Sequence, residues 1–388
     1  MRFVTHRRLE AALVAAAAVV ASAGVPAAAS AAAQAAPVVG HVYVNDNTVG
    51  TNTIGVFDRH ADGTLTPHAG SPFAAGGAGT GAGLASQGAL QISPDGRFLL
   101  AVDAGSNQIS VLRIKPDGSL SLVPGGVASS GGVLPVSVAI HGGLVYVANA
   151  GAGGSNYTGF RLGPNGRLAP IAGSSVTLPD GSQPGDVLFN STGRKLAGAR
   201  VGTSQLDSFS VSGDGLLTAA PASPFPAQGL GPFGSEFRPT NPGQLFVSNA
   251  HNTGTGSGTV SAFRDSANGT LTSIGSSPFA DQQTAPCWVE ITHDGRFLFT
   301  VNTASGTVSR YSIAPGGALH LLGSTPVRGA SVGAVDARLS PDGQFLYVDE
   351  SKTGAVAAFA VQGGNLTELA SSPASLPAGA TPAGIVVT

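Results

Sequence analysis

The segment SPDGRFLLAVD at residues 93–103 returns almost unchanged as SPDGQFLYVDE at residues 340–350. Each copy begins with a Ser-Pro-Asp-Gly turn and continues as an apolar run that ends in acidic residues. In such a turn proline presets the first φ angle, aspartate bonds back to the backbone and glycine takes a positive φ. Each copy therefore predicts a tight β-hairpin that joins two antiparallel strands.

A second marker, the triplet Gly-x-Leu, shows how often this unit occurs. Its leucine stands at seven places: Leu65, Leu120, Leu168, Leu217, Leu271, Leu319 and Leu366. The spacings are 55, 48, 49, 54, 48 and 47 residues. A period near 50 predicts a radial or solenoid array, because a single unit of this size cannot bury its apolar faces alone.

Each repeat contains four short apolar segments separated by turn residues. Their runs of β-branched and aromatic residues stop at Gly, Asn, Asp or Pro, and none has the sustained 3.6-residue period of a helix. The chain is 42% hydrophobic with 57 Gly and 26 Pro, which suits a sheet protein with many tight turns. We predict an all-β fold, a seven-bladed β-propeller of four-stranded antiparallel blades.

The two ends of the repeat region predict how the ring closes. HVYVND (41–46) corresponds to a second strand, and TPAGIVVT (381–388) corresponds to a first strand with no repeat after it. We therefore expect Ala383 to Val387 to form the innermost strand of the blade that begins at His41.

The two long intervals mark insertions. AAGGAGTGAGLASQG (74–88) falls between an outer strand and the next inner strand, and HNTGTGSGT (251–259) falls between a second and a third strand. Both loops should lie on the same face of a propeller, around the mouth of its channel. A Gly-rich lid over this funnel and a solvated insertion without a role are the two interpretations.

The first 36 residues have the pattern of a secretory signal peptide. Arg2, Arg7 and Arg8 precede an apolar stretch from Ala11 to Val20, and small residues with A-x-A sites follow. We predict a signal peptide at 1–36, a single propeller domain at 37–388 and a secreted, extracytoplasmic protein. Its one cysteine, Cys287, leaves no internal disulfide to stabilise it.

Charge and composition exclude several classes of partner. Without the predicted signal peptide, 16 basic and 20 acidic side chains remain, a weak net charge of −4 that argues against nucleic acid and anionic membranes. No later stretch is long and apolar enough to span a membrane, and we expect a monomer. The eight dispersed histidines predict no metal site, and no cofactor motif stands in a fitting context.

SPDGRFLLAVD and SPDGQFLYVDE, each followed by a Gly- or Ser-containing loop and a Val-rich strand, resemble the blades of the seven-bladed propeller lactonase family. This group includes 6-phosphogluconolactonase-like enzymes and, more loosely, the YVTN-repeat propellers. The resemblance implies lactone hydrolysis in the funnel, with a Gly-Pro-Arg-His sequence at one inner strand and Asn-Glu at the end of the next. Here Phe233 and Gly234 follow Gly231-Pro232, and Ala250 follows Asn249, so the implied Arg, His and Glu are missing.

Polar residues at the ends of the second strands are the candidate site, because they should ring the funnel mouth. We predict catalytic roles for Glu350, Asp349 and His251, which adjoins the position of the missing Glu. We predict ligand-binding roles for five residues: Asp103, Asn149, Arg200, Asn249 and Asn302. The alternative is a structural ring that caps the loop backbones.

Two functions follow from this pattern. The missing Arg, His and Glu favour a secreted propeller that binds, through the funnel face, a sugar- or lactone-like small molecule or an envelope or extracellular protein. The alternative is a divergent extracytoplasmic lactone hydrolase, a carboxylic-ester hydrolase that uses other funnel residues. Lactone hydrolysis requires a base that activates water and a donor that stabilises the anionic intermediate.

Overall fold

A computed structural model describes residues 36–329 and 333–388, and these residues form β-strands, turns and loops without a helix. The predicted signal peptide lies outside the described residues apart from Ala36. The first four blades contribute the following strands: β1 (Val38–Asn45), β2 (Thr53–His60), β3 (Leu65–Pro67), β4 (Phe73–Ala74), β5 (Leu90–Ile92), β6 (Phe98–Asp103), β7 (Gln108–Ile114), β8 (Leu120–Ser129), β9 (Pro135–His141), β10 (Leu144–Asn149), β11 (Asn156–Leu162), β12 (Leu168–Pro170), β13 (Val176–Thr177), β14 (Pro184–Phe189), β15 (Lys195–Arg200), β16 (Gln205–Val211), β17 (Leu217–Ala219) and β18 (Phe225–Pro226).

The last three blades and the C-terminal strand follow in the same order. Their strands are β19 (Pro232–Arg238), β20 (Asn241–Asn249), β21 (Thr259–Asp265), β22 (Leu271–Ser273), β23 (Phe279–Ala280), β24 (Pro286–Ile291), β25 (Phe297–Asn302), β26 (Thr307–Ile313), β27 (Leu319–Pro326), β28 (Ala334–Leu339), β29 (Phe345–Glu350), β30 (Ala355–Gln362), β31 (Asn365–Glu368), β32 (Ala374–Ser375) and β33 (Ile385–Val387). Every pairing within a blade is antiparallel, and seven separate sheets result. The predicted seven-bladed propeller is confirmed.

The Ser-Pro-Asp-Gly turns have the predicted hairpin geometry. Ser93 Oγ donates to Asp95 at 2.6 Å, the amide of Phe98 donates to Ser93 Oγ at 2.9 Å, and Gly96 has a φ of 69°. The copy at Ser340 repeats these contacts. The turn residues are thus bonded to one another, which explains why this stretch recurs.

The ring closes in the way that the two ends of the repeat region predicted. β33 pairs with β1, with Val386 opposite Tyr43 and Ile385 opposite Val44, so it is the innermost strand of the first blade. The pairing continues outside the strand, where the amide of Thr388 donates to the carbonyl of His41 at 2.9 Å. β1 begins at Val38, three residues before the predicted start.

The apolar core lies between neighbouring blades, as the repeat architecture requires. One cluster joins Val44 and Phe57 of the first blade to Tyr347 and Val356 of the seventh. The hydroxyl of Tyr347 also donates to the carbonyl of Gly63, at 3.0 Å, in the turn of the next blade. Both predicted insertions lie in the loops expected, before β5 and between β20 and β21.

Candidate functional site

The predicted ligand-binding residues are buried within the blades. Asp103, Asn149, Asn249 and Asn302 are each 0% exposed. Each ends the second strand of its blade and bonds a hydroxyl of the third strand, with partners and distances as follows: Asp103 with Ser110 at 2.5 Å, Asn149 with Thr158 at 3.0 Å, Asn249 with Ser261 at 2.8 Å and Asn302 with Ser309 at 2.8 Å. These contacts favour the structural alternative, and the ligand-binding role stays a prediction.

Arg200 has the same place in the fourth blade and is also engaged. Its guanidinium forms two hydrogen bonds with the Asp207 carboxylate, both at 2.6 Å, and Tyr157 donates to that carboxylate at 3.0 Å. The charge of Arg200 is therefore neutralised by a buried partner, which leaves it little capacity to attract an anionic ligand.

Asp349 and Glu350 are buried at the end of β29. Neither oxygen of Asp349 has a hydrogen-bond partner among the described residues. Burial, together with the neighbouring acids Asp336, Asp46 and Glu350, raises the pKa of Asp349 well above its usual value. Burial also raises the pKa of Glu350, which accepts a hydrogen bond from Thr353. A raised pKa favours the protonated form, which cannot take a proton from water, and the catalytic role of these acids stays a prediction.

The first insertion enters the channel and closes it. The amide of Gln87 donates to the carbonyl of Gly185 at 2.9 Å, and its side chain donates to the carbonyl of Ser235 at 3.0 Å. The Gln87 side-chain oxygen accepts from the amide of Val289 at 2.9 Å. The inner strands of the fourth, fifth and sixth blades thus converge on one residue, the fourth through its backbone amide and the other two through its side chain. We call Ser86–Gly88 the plug.

The sequence of the fifth blade makes room for the plug. A Cβ at Gly234 would stand 2.1 Å from the Gln87 side-chain oxygen, so only glycine fits there. Phe233 packs edge-on against Trp288 at 5.2 Å, and the indole nitrogen of Trp288 donates to the carbonyl of Ser86 at 2.6 Å. The two residues that replace the expected Arg and His therefore support the closure of the channel.

Beside the plug lies a cavity of about 370 Å³, which we call the mouth pocket. Its walls come from the insertion and from three successive blades: Thr80, Ala82, Gly83, Leu84, Ala85, Leu134, Val136, Ala150, Gln183, Val201 and His251. Most of these side chains are apolar, and none of the eleven is Lys or Arg. The insertion is therefore a wall of a pocket, a result closer to the predicted lid than to a loop without a role.

His251 lines the mouth pocket as its one titratable side chain. Its amide donates to the carbonyl of Leu230 at 3.0 Å, and its ring lies edge-on to Phe233 at 6.5 Å. A Cβ at Gly231, whose φ is 63°, would stand 2.4 Å from the His251 ring, so the glycine leaves space for the imidazole. Of the three predicted catalytic residues, the structure thus brings His251 alone to the pocket.

The inner strands bring together charged residues that sequence reasoning missed. Arg338 on β28 pairs with Glu290 on β24 at 3.1 Å, and Glu290 also accepts from the amide of Leu339 at 2.9 Å. Burial and the nearby Glu290 raise the pKa of Glu236 well above its usual value. Burial raises the pKa of Asp186 to about 7. These residues stand on the inner strands of four consecutive blades, so about one repeat of sequence separates each from the next and no local pattern indicates that they meet.

Metal ligands are brought together elsewhere in the described residues. His41, Asp58 and His68 of the first blade have ligand atoms within 4.8 Å of one another, although the scattered histidines predicted no metal site. A helix long and apolar enough for a membrane span is not found in the described part of the chain.

Fold and site define a seven-bladed propeller with a pocket of small-molecule size at one mouth of a plugged channel. The sequence profile of the family described as Lactonase, 7-bladed beta-propeller, matches residues 50–154 and 237–382. This match covers more than half of the chain, and the chain belongs to that family, as the resemblance predicted.

Solved structures with the same fold share little sequence with the chain. A candidate 6-phosphogluconolactonase of Bacteroides uniformis is 19% identical with a TM-score of 0.70, and the match covers 90% of this chain and 99% of that one. The periplasmic gluconolactonase of Pseudomonas aeruginosa is 19% identical with a TM-score of 0.68, and the match covers 90% of this chain and 99% of that one. A protein of Lactobacillus plantarum is 19% identical with a TM-score of 0.72, and here too the match covers 90% of this chain and 99% of the other. No curated protein matched the sequence.

Proposed function

We propose that the protein binds, in the mouth pocket, a small molecule of the lactone class with an apolar ring or chain. The observation that carries the proposal is the pocket itself, about 370 Å³ with mainly apolar walls, built by the insertion on three blades. Ligand sites are typically concave and apolar, with a few polar groups that orient the ligand, and Thr80, Gln183 and His251 are such groups here.

The chemistry of the walls also argues against a phosphorylated sugar as ligand. A phosphate is bound by Arg or Lys or by a helix N-terminus, and the lining residues include no such group. Arg200 is bonded to Asp207 instead. An uncharged lactone therefore fits the pocket better than 6-phosphogluconolactone.

Trp288, the one tryptophan of the chain, reports on binding, because its indole bonds to the plug beside the pocket. We expect saturable changes in its fluorescence when lactones with lengthening apolar substituents are titrated, with affinity rising along the series. Ala150→Phe, which fills the pocket, should abolish the change. Ala267→Phe, in an exposed turn, is the matched control and should bind as the wild type does. Equal binding by both variants would place the ligand elsewhere.

A second candidate function is lactone hydrolysis with His251 as general base, favoured because this imidazole lines the pocket. The His251 ring nitrogen would take a proton from water while the oxygen attacks the lactone carbonyl carbon. The tetrahedral intermediate then breaks the ring C–O bond, and the imidazolium returns the proton to the leaving alkoxide. Gln183 is the nearby amide donor for the oxyanion.

Acid release from a lactone panel distinguishes the two functions. If the protein is a hydrolase, His251→Asn should lower the rate on the order of 10² to 10⁴-fold, the usual contribution of a positioned base. His320→Ala on β27 is the control and should keep the full rate. Binding without acid release above background assigns the protein to the binding class.

We further propose that the protein is exported and acts as a monomer. The support for export is the charged and apolar pattern of residues 1–36. Cell fractionation should find the wild type outside the cytoplasm. A chain that lacks Ala11 to Val20 should stay inside, and gel filtration should give the mass of one chain.

A further inference from the structure

Three side chains of the first blade come together outside the mouth pocket. His68 Nδ1 lies 2.6 Å from Asp58 Oδ1, and His41 Nε2 lies 3.4 Å from the same oxygen. The two imidazoles stand edge to face with their ring centres 5.4 Å apart. The side chains are 9–26% exposed, so the group is close to solvent without being free in it.

The repeat supplies an internal comparison for two of these positions. His41 on β1 lies directly opposite Asp58 on β2. The equivalent cross-strand pairs of the other six blades are Phe98 with Arg113, Leu144 with Arg161, Lys195 with Ser210, Gln244 with Arg264, Phe297 with Ser312 and Phe345 with Ala360. None of these six pairs consists of two metal ligands. The blade framework therefore does not require His and Asp here.

The third position departs from the repeat in the same blade. The amide of His68 donates to the carbonyl of Val56 at 2.9 Å. The residues that make the same bond in four other blades are all apolar: Ile171, Ala220, Ile274 and Leu369. A histidine at a position that otherwise packs between blades loses apolar burial, so a structural role alone explains it poorly.

We propose that His41, Asp58 and His68 form a binding site for a divalent transition-metal ion, with Zn²⁺ as the reference ion. Two imidazole nitrogens and one carboxylate oxygen are ligands that zinc accepts, and water can complete the tetrahedron. Zn–N and Zn–O bonds of about 2.0–2.2 Å place tetrahedral ligand atoms about 3.3 Å apart. The 3.4 Å between His41 and Asp58 already fits, and the 2.6 Å contact has to open by less than an ångström.

His41 is also held in place by a contact with the next blade. Its ring packs on the turn of the second blade, where a Cβ at Gly118 would stand 2.1 Å from its Nε2. A bound ion would thus tie the first blade to a histidine that already contacts the second.

The experiment uses the full chain, freed of metal by a chelator, and titrates it with Zn²⁺ against a competing indicator dye. Co²⁺ is titrated in parallel, because its visible absorption reports nitrogen and oxygen ligation directly. The test variants take residues from equivalent places in other blades, namely His41→Phe and His68→Ile, so the fold has precedents for both. Asp58→Asn changes a single atom and serves if either histidine variant fails to fold by circular dichroism.

We expect one zinc equivalent per chain, a rise in melting temperature on zinc binding and the visible absorption bands of low-coordinate Co²⁺. Each variant should weaken binding by more than about 10- to 100-fold, since loss of even a supporting partner of a ligand costs that much. His320→Ala should bind as the wild type does. No saturable binding by the wild type, or binding that the three variants leave unchanged, overturns the proposal.

Discussion

At the residue scale, Asp186 is a buried acid whose protonation should control stability. Ser235 donates to its carboxyl through both its amide, at 2.8 Å, and its hydroxyl, at 2.6 Å. Burial nevertheless outweighs these bonds and raises the pKa to about 7. In the unfolded chain an aspartate ionises near pH 4. Between these two values the folded state therefore binds a proton that the unfolded state has released.

We predict that this difference makes the wild type less stable as the pH rises from 5 to 8. Stability falls with pH wherever the folded state holds more protons, and the full difference for Asp186 is at most about 4 kcal/mol. Asp186→Asn should reduce the slope, because an amide oxygen still accepts from Ser235 but does not ionise. The remaining slope comes from Asp46, Asp281 and Asp336, whose pKa values burial also raises. Urea unfolding of both proteins at pH 5 and pH 8 checks this prediction.

The exposed aspartates of the hairpin turns do not affect this comparison of stability between pH 5 and pH 8. A hydrogen bond from a nearby serine lowers the pKa of Asp95 and of Asp117. Both are therefore ionised in the folded and the unfolded state throughout the range from pH 5 to pH 8, and their contribution to stability does not change there. Asp95→Asn is therefore the matched control and should leave the slope between pH 5 and pH 8 as in the wild type. An unchanged slope in Asp186→Asn would show that Asp186 is ionised in the folded state.

The positions of the candidate residues in their strands could be predicted from the sequence better than the contacts of their side chains. The last residue of each second strand was located correctly at Asp103, Asn149 and Asn302, but whether these side chains face the mouth or the next strand depends on Ser and Thr partners seven to nine positions later. His251 was identified because it adjoins Ala250, which stands where the missing Glu was expected, and it does line the pocket. Glu236, Glu290 and Arg338 were missed, since separate blades supply them.

At the scale of the element, the plug shows how an insertion acquires a role that its composition conceals. A Gly-rich stretch predicts a loop and nothing more. Gln87 contacts residues 98, 148 and 202 positions away along the chain. Such distant partners leave no local pattern in the sequence, and only the folded ring brings them together.

We predict that Gln87→Ala lowers the free energy of unfolding by about 2–4 kcal/mol. The change leaves the amide of Val289 and the carbonyl of Ser235 buried without partners and opens a cavity in the channel. Denaturant unfolding measures the loss, and the fluorescence of Trp288 should shift to the red as water reaches it. Gln183→Ala, at the exposed rim, should change stability by less than about 0.5 kcal/mol. Equal stability of the two variants would mean that the plug is not held in the channel.

At the scale of the whole molecule, the fold could be predicted from the sequence because the same strand and turn pattern occurs seven times. Each copy of the hairpin turn and of the Gly-x-Leu triplet supports the register of the others, so an error in one segment is corrected by the rest. Only the first blade is completed by a strand from the far end of the chain, and the TPAGIVVT segment identified that strand. The pocket has no such redundancy, since it is made where the repeat is interrupted.

Closure of the ring should dominate global stability. Removal of residues 381–388 deletes β33 and exposes the inner edge of β1, so we expect a large fall in melting temperature or no folded protein. The milder Ile385→Ala, at a side chain that is 0% exposed, should cost about 2–4 kcal/mol. Val387→Ala should cost less than about 1.5 kcal/mol, because this side chain at the end of β33 is already partly exposed. An unchanged melting temperature and yield after truncation would contradict closure by this strand.

We propose that the insertion, by closing the channel with Gln87, creates the mouth pocket in which the ligand binds. A crystal structure of the protein with a bound lactone would show where the ligand lies. We expect ligand density against Leu84, Val136 and Val201, with the polar end of the ligand near His251 and the plug in place beneath it. Density inside the channel beside Glu236 and Arg338, with the plug displaced, would overturn this proposal.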